Sequence, residues 1–304
     1  MSFSDDLTIT TTSYLWGTVD CRNFVLESGV TLYIGRSKGH GNASFSQTSL
    51  VADSSAPSER QNYPTSPEHA GLCLRCYGTA TIRGTIIGSR RGPLGYENNT
   101  SKYSQPPCLH DGFLGGGSGA CWEGSSLNGY GRRTKNDGSV VTTSGVGQNA
   151  VESEIRAYVS SRLQNCGQNP YAPAFPFYVY GSGGPGTYYS DKRYMSRGGA
   201  GLVIVASRVV FEAGSAFESV GKGGDDGLDQ RVGQSVNDVG CGGGGGGSLV
   251  IIAGSYQRLG SINLAGGAQS YGANYSDPDS GRAGGAGLEV WVPYTPSGGF
   301  LAGF

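Results

Sequence analysis

Apolar and polar residues alternate along short stretches of this chain, the pattern of half-buried β-strands. Ala80 and Ile82 take one parity while Thr79, Thr81 and Arg83 take the other, and Leu72, Leu74 and Cys76 obey the same rule. Val30, Leu32 and Ile34 oppose Thr31 and Tyr33, and Leu288, Val290 and Val292 oppose Glu289 and Trp291. In LVIVA from Leu202 and SLVIIA from Ser248 apolar residues fill both parities, which predicts strands covered on both faces. An excursion of the chain or another subunit must then lie over their outer face.

These strands recur in a block of glycine, apolar strand, turn, second short strand and glycine-rich excursion. The block runs from Gly201 to Gly221, again from Gly247 to Gly266, and in shortened form from Gly287 to Val292, with weaker copies from Gly71 to Gly88 and from Phe24 to Gly35. A lone strand-turn-strand unit cannot bury its own apolar face, so the copies must stack. The expected fold is all-β, a β-helix or solenoid-like stack of strands with long glycine-rich loops and one short inserted helix. Residues 1–35 read as an N-terminal β segment for attachment or capping, 36–200 as a β-scaffold with long excursions, and 201–304 as a glycine-rich β-repeat region. The helix is expected near 151–165, where Val151, Ile155, Tyr158 and Val159 have helical spacing, with Glu152 and Glu154 at the start and Arg162 toward the end. After it, the proline- and aromatic-rich stretch from Asn169 reads as an extended strap over the core, or as a partner-facing tip.

The excursions run from Arg36 to Ala70, Ser89 to Ala200, Lys222 to Gly246 and Gly267 to Ala286. They leave each block at the same place, so they are expected to emerge on one side or at one end and to build a binding surface. Within them lie glycine runs such as Gly115 to Gly117, Gly183–Gly184, Gly198–Gly199 and Gly242 through Gly247. Two readings carry equal weight: tight turns that need positive φ, and packed polyproline-II-like segments whose missing Cβ lets backbones approach closely. Flexible linkers rank lower, because the runs abut apolar strands.

Composition narrows the class. Glycine supplies 55 of 304 residues and charged residues only 15%, far from a typical enzyme or a charged disordered chain. The net charge of −1 gives no basic patch for nucleic acid, and the pairs Arg90–Arg91 and Arg132–Arg133 read as solvated loop charges. The N-terminal Met1-SFSDDLTITTT lacks the features of a signal peptide, and no apolar run has the length of a membrane span. Seven cysteines without a signal peptide predict mostly reduced thiols. Cys73 and Cys76 have C-x-x-C spacing, but strand parity points them to opposite faces, so Cys76 reads as a small core residue rather than a metal ligand. Cys108, Cys121, Cys166 and Cys241 would pair only outside a cell.

Chemistry is hard to find. His40, His69 and His110 fit no metal or catalytic spacing, and the acids Asp225, Asp226, Asp229, Asp277 and Asp279 lie in glycine-rich loops, where they read as solvated. The expectation is a non-enzymatic chain with no cofactor and no metal. Tyrosine stands out instead, with 18 residues, many in loops among Gly, Ser and Asn. That composition supplies rigid contact area at low entropic cost, which makes Tyr188, Tyr189, Tyr194, Tyr271 and Tyr275 the candidate ligand contacts.

The alternation of LVIIAG-type strands with poly-glycine loops, ending in AGGAGLEVWV, resembles glycine-rich bacteriophage tail-fibre and receptor-binding proteins, over about a third of the chain from Gly198 to Val292. It is similar to the fibre-tip adhesins of T-even phages. The resemblance implies a virion protein of the tail fibre or tail tip, made in the host cytoplasm without a signal peptide. Its partners would be a host surface receptor, an outer-membrane protein or a polysaccharide, bound through the tyrosine- and glycine-rich loops, and other virion tail or fibre proteins. The alternative is a purely architectural virion component, such as a fibre shaft, spike or capsid decoration, and behind it a β-helix polysaccharide depolymerase. Open sheet ends invite pairing, which makes a homotrimer plausible, and the sequence leaves room for a monomer on a trimeric shaft. Neither nucleic acid nor membrane insertion is expected.

Overall fold

The computed structural model describes residues 5–35, 66–93, 111–120, 130–185, 188–189, 192–193, 196–221, 242–269 and 281–294. The alternating stretches form strands. In chain order they are β1 (Leu7–Ile9), β2 (Ser13–Leu15), β3 (Gly17–Cys21), β4 (Phe24–Leu26), β5 (Thr31–Ile34), β6 (Gly71–Cys76), β7 (Thr79–Ile82) and β8 (Thr85–Ile87). There follow a hairpin of β9 (Gly131–Thr134) and β10 (Val140–Thr143), the helix α1 (Glu152–Asn165), and a short pair of β11 (Tyr188–Tyr189) and β12 (Lys192–Arg193). The last part supplies β13 (Gly201–Phe211), β14 (Ala216–Glu218), β15 (Leu249–Arg258), β16 (Ser261–Asn263) and β17 (Glu289–Pro293).

Two parallel sheets result. The larger has eight strands, ordered β1-β4-β7-β13-β15-β17 with β3 and β6 alongside, and the smaller has five, ordered β16-β14-β8-β5-β2. The repeat block sets the register: Gly201 lies opposite Gly71, and Leu202 opposite both Leu72 and Leu249. The long β13 pairs with β6 through its first half and with β7 through its second.

The parity of each strand decides which of two cores it feeds. Leu72, Leu74, Leu202, Ile204, Leu249 and Ile251 point between the sheets, where they meet Leu32, Ile86 and Phe217. The opposite parity, Cys73, Val203, Val205, Val250 and Ile252, forms a second core on the outer face of the larger sheet. Both sets are buried, and a fully buried aliphatic or aromatic side chain contributes about 1.5–3 kcal/mol. The outer face therefore needs a lid of comparable apolar area. It is provided by Ile155, Val159 and Leu163 of α1 and by Phe175, Phe177 and Val179 of the strap that follows.

Helix α1 starts with Glu152 and Glu154 in its first turn and carries Arg162 in its last, matching the sign of the helix dipole. It ends at Cys166, and Gly167 at φ 61 takes the left-handed conformation that stops a helix. Glu154 accepts two hydrogen bonds from Arg133 of β9, at 2.6 and 3.0 Å, which ties the helix to the hairpin.

The expected all-β solenoid with a short inserted helix is corrected by this arrangement. Helix α1 is a 14-residue element whose buried side forms one wall of a core. The body is compact and mixed α/β, built on two parallel sheets, because strands apolar on both faces require a second layer and the chain supplies it from its own excursion.

The glycine runs form the third part of the body. Gly242 through Gly247 is buried and extended, and none of its residues has positive φ. Gly243 and Gly246 donate to Arg282 and Gly285, while Gly242 and Gly245 donate to Pro185 and Ser182. A bond to the same neighbour every third residue is the period of a polyproline-II helix. Around it the carbonyls of Gly243, Gly244, Gly245 and Gly246 accept from Gly119, Gly267, Gly199 and Gly116, and Gly247 donates to Ser219. The turn reading of this run is therefore replaced by close packing of backbones, with the buried amides satisfied sideways. Serines take part: Ser248 donates to Leu114 and accepts from Leu288, and Ser182, Ser196 and Ser219 each donate to a backbone carbonyl.

Candidate functional site

The glycine bundle fixes where the excursions begin. The segments 115–119 and 181–185 run antiparallel to 242–247, whereas 282–287 runs parallel to it, as the paired bonds Gly116–Gly246 and Gly119–Gly243, Gly245–Ser182 and Gly242–Pro185, Gly243–Arg282 and Gly246–Gly285 require. Ala120, Pro185, Gly242 and Arg282 consequently sit at the same end. Arg282 donates to Ala120 at 2.8 Å, Gly242 donates to Pro185 at 3.1 Å, and the Ser196 hydroxyl donates to the Gly242 carbonyl at 2.6 Å. Pro93 accepts from Gly198, two residues inward of Ser196, at 3.0 Å.

These residues flank the stretches that carry the candidate tyrosines. Tyr188 and Tyr189 lie between Pro185 and Ser196, and their backbone pairs with β12 in the register Tyr188 with Arg193 and Tyr189 with Lys192. Tyr194, Tyr271 and Tyr275 lie outside the described residues, as do His40, His110, Cys108, Cys121, Cys241 and the acids Asp225, Asp226, Asp229, Asp277 and Asp279. His69 sits in a short 3-10 turn, Pro67–Ala70, beside β3 and β6. No group of His, Cys, Asp or Glu able to hold a metal occurs among the described residues, and no described helix is long and apolar enough to cross a membrane.

Two of the arginines read as solvated are buried. Arg91 is 1% exposed and Arg133 3%. Arg91 donates through Nε to Ile34 and through Nη2 to Gly35, both at 2.8 Å. Its guanidinium lies 5.6 and 5.3 Å from the ring centres of Tyr14 and Tyr33, which stack on each other at 5.0 Å. Burial lowers its pKa to about 10. Sequence reasoning missed this cluster because a doublet of arginines before a glycine looks like any exposed turn. The available signal was Tyr14 and Tyr33, outward-facing aromatics on neighbouring strands.

Further polar clusters hold the layers together. Arg75 makes a two-pronged ion pair with Asp20, both bonds 2.7 Å, and donates to Ala172 of the strap. Tyr171 donates to the Cys76 carbonyl. Tyr256 donates to Glu289, which also pairs with Arg258.

Burial pushes the phenols of Tyr171 and Tyr180 well above their ordinary range, and burial together with the bond to Glu289 does the same for Tyr256. The Cys73 thiol is pushed up to about 12, mainly by burial. An acid whose folded pKa is raised stays protonated in the native state while the unfolded chain ionises, so its contribution to stability is intact below the unfolded value, near 10 for tyrosine, and is lost as pH rises through the folded value. Arg91, whose pKa burial lowers, acts the other way but is one group against several. Stability should therefore fall steeply above about pH 10. Tyrosinate absorbance should rise together with the loss of circular dichroism; full phenol ionisation of a still-folded protein would contradict this.

The tail-fibre resemblance does not hold, and the virion readings go with it: receptor-binding fibre or tip, shaft, spike or decoration, and depolymerase. The glycine segments are folded into a compact α/β body with two parallel sheets and buried aromatic and ion-pair clusters, where an extended fibrous solenoid was expected. No family model, curated protein or solved structure matches the chain.

Proposed function

We propose that this protein is a non-catalytic binding domain for uncharged carbohydrate, with the glycine bundle as a rigid platform and the recognition residues in the stretches that leave its far end. One observation carries the reading: Pro185 and Ser196, which bound the stretch holding Tyr188, Tyr189 and Tyr194, are bonded to Gly242. Arg282, which follows the stretch holding Tyr271 and Tyr275, is bonded to the adjacent Gly243. Two tyrosine-bearing stretches thus start from neighbouring rows of one rigid lattice. A tyrosine offers a flat apolar face and a hydroxyl, which suits the mixed surface of a sugar. The net charge of −1 favours an uncharged ligand over an anionic one. Among the described residues, the displaced pKa values arise from burial, ion pairs and hydrogen bonds within the body.

The test is affinity electrophoresis through gels containing neutral polysaccharides, comparing the parent chain with a variant in which Tyr188, Tyr189, Tyr194, Tyr271 and Tyr275 are serine. The parent should be retarded by at least one polysaccharide, and the variant, with unchanged circular dichroism, should bind at least about tenfold more weakly. Equal retardation of both, or free migration of the parent through every gel, would overturn the proposal.

A further inference from the structure

Strand register brings two thiols into contact. Cys21 closes β3, Cys76 closes β6, and the two are direct partners across the parallel pair. Their Sγ atoms lie 3.2 Å apart, both residues are fully buried, and both face the core between the sheets. Cys73 belongs to the other core, on the opposite face of the same strand, and so is kept away from the pair. Neighbouring strands stand about 4.7–4.9 Å apart, inside the Cα separation of about 4.4–6.8 Å that a disulfide spans. The sulfurs need to close only to about 2.05 Å for a covalent bond.

We propose that Cys21 and Cys76 are a latent disulfide, formed when the chain folds in the presence of a low-molecular-weight disulfide oxidant such as oxidised glutathione. One cysteine thiolate attacks the oxidant, forming a mixed disulfide and releasing one glutathione thiolate. The second cysteine thiolate then attacks the protein sulfur of that mixed disulfide, forming the Cys21–Cys76 bond and releasing the second glutathione. Two protein thiols lose two electrons, one oxidant disulfide gains them, and the two protons end on the released thiols. In the folded protein burial and the neighbouring Cys21 raise the Cys76 pKa, and neither sulfur is open to solvent. The exchange therefore belongs to the stage before β3 closes on β6, and the finished protein in its reduced form resists the oxidant. The bond would staple the first strands of the body to the strand-turn-strand unit from Gly71 to Gly88, closing a loop that contains the whole stretch 36–65.

The experiment is to refold the full chain with oxidised glutathione or with dithiothreitol, alkylate after denaturation, and map the peptides. The oxidised sample should carry a peptide pair joined through Cys21 and Cys76, lighter by about 2 Da than the two thiol peptides. Cys21→Ser or Cys76→Ser should abolish that pair. Recovery of both cysteines fully alkylated from the oxidised sample would overturn the proposal. So would either one joined instead to Cys73, Cys108, Cys121, Cys166 or Cys241.

Discussion

Replacing Gly245 with alanine should leave the chain unable to fold stably, while replacing Gly145 should be nearly silent. An alanine methyl at Gly245 would lie 1.8 Å from the Gly116 carbonyl oxygen and 2.3 Å from its carbon. Both are backbone atoms of a buried neighbouring segment, so no side chain can swing aside. The segments must part, which threatens the bonds from Gly245 to Ser182, from Gly199 to Gly245 and from Gly116 to Gly246. Each buried polar group left unpaired costs about 1–3 kcal/mol, so the combined loss is about 4 kcal/mol or more. Total stabilities of about 5–15 kcal/mol leave little room for that. At Gly145 the nearest atom to an added methyl is the Thr143 hydroxyl at 3.9 Å, and φ is not positive; the change should stay within about 0.5 kcal/mol. Urea denaturation of the two variants decides the matter. Equal behaviour would show that the glycines are spacers and that the lattice does not depend on their missing side chains.

The second large effect belongs to Arg91. Truncation to alanine removes the donors that satisfy the Ile34 and Gly35 carbonyls and empties the space beside the Tyr14 and Tyr33 rings. Each buried carbonyl left without its donor costs about 1–3 kcal/mol, so the two together cost about 2–4 kcal/mol. Arg90, its neighbour in sequence, is exposed, and Arg90→Ala should change stability by no more than about 0.5 kcal/mol. Arg91→Lys should fall between the two, because an ammonium cannot reproduce the forked geometry of a guanidinium. Thermal denaturation of the three variants is sufficient. A silent Arg91→Ala would mean that the buried guanidinium adds nothing to the fixing of the end of β5.

The contrast between Arg90 and Arg91 shows where sequence reading stops. Parity along the strands was legible, since Leu72 and Leu74 go to one core while Cys73 goes to the other, and the doubly apolar stretches from Leu202 and Ser248 are covered on both faces. Helical spacing from Ile155 to Val159 marked α1 equally well. The sequence did not reveal that this helix is a structural layer, because its partner face is assembled from strands far away in the chain. That oversight turned a compact α/β body into an expected fibre. The glycine bundle was only half legible. Its residues have no side chains to reveal a period, so turns and packed segments looked alike until hydrogen-bond partners from distant parts of the chain were known. Of the candidate tyrosines, Tyr188 and Tyr189 have a described backbone, and for the others only the ends of their stretches are fixed by described residues.

The bundle also imposes an order in time. Its central segment, Gly242 through Gly247, leaves the ribosome after the segments around 116, 182, 199 and 219 that it bonds to, and before those around 267 and 285. Helix α1 must wait for β13 and β15, which supply the core it covers. Bonds such as Ser182 to Gly116 and Gly181 to Gly199 can close before the hub emerges, but the amides of Gly116, Gly119 and Gly199 must wait for it. Assembly of this part is then a single late event drawing on contacts across more than half the chain. Such non-local closure is slow, so a nascent chain that stalls before residue 242 would leave the amides of Gly116, Gly119 and Gly199 and the carbonyl of Ser182 without the partners the hub supplies.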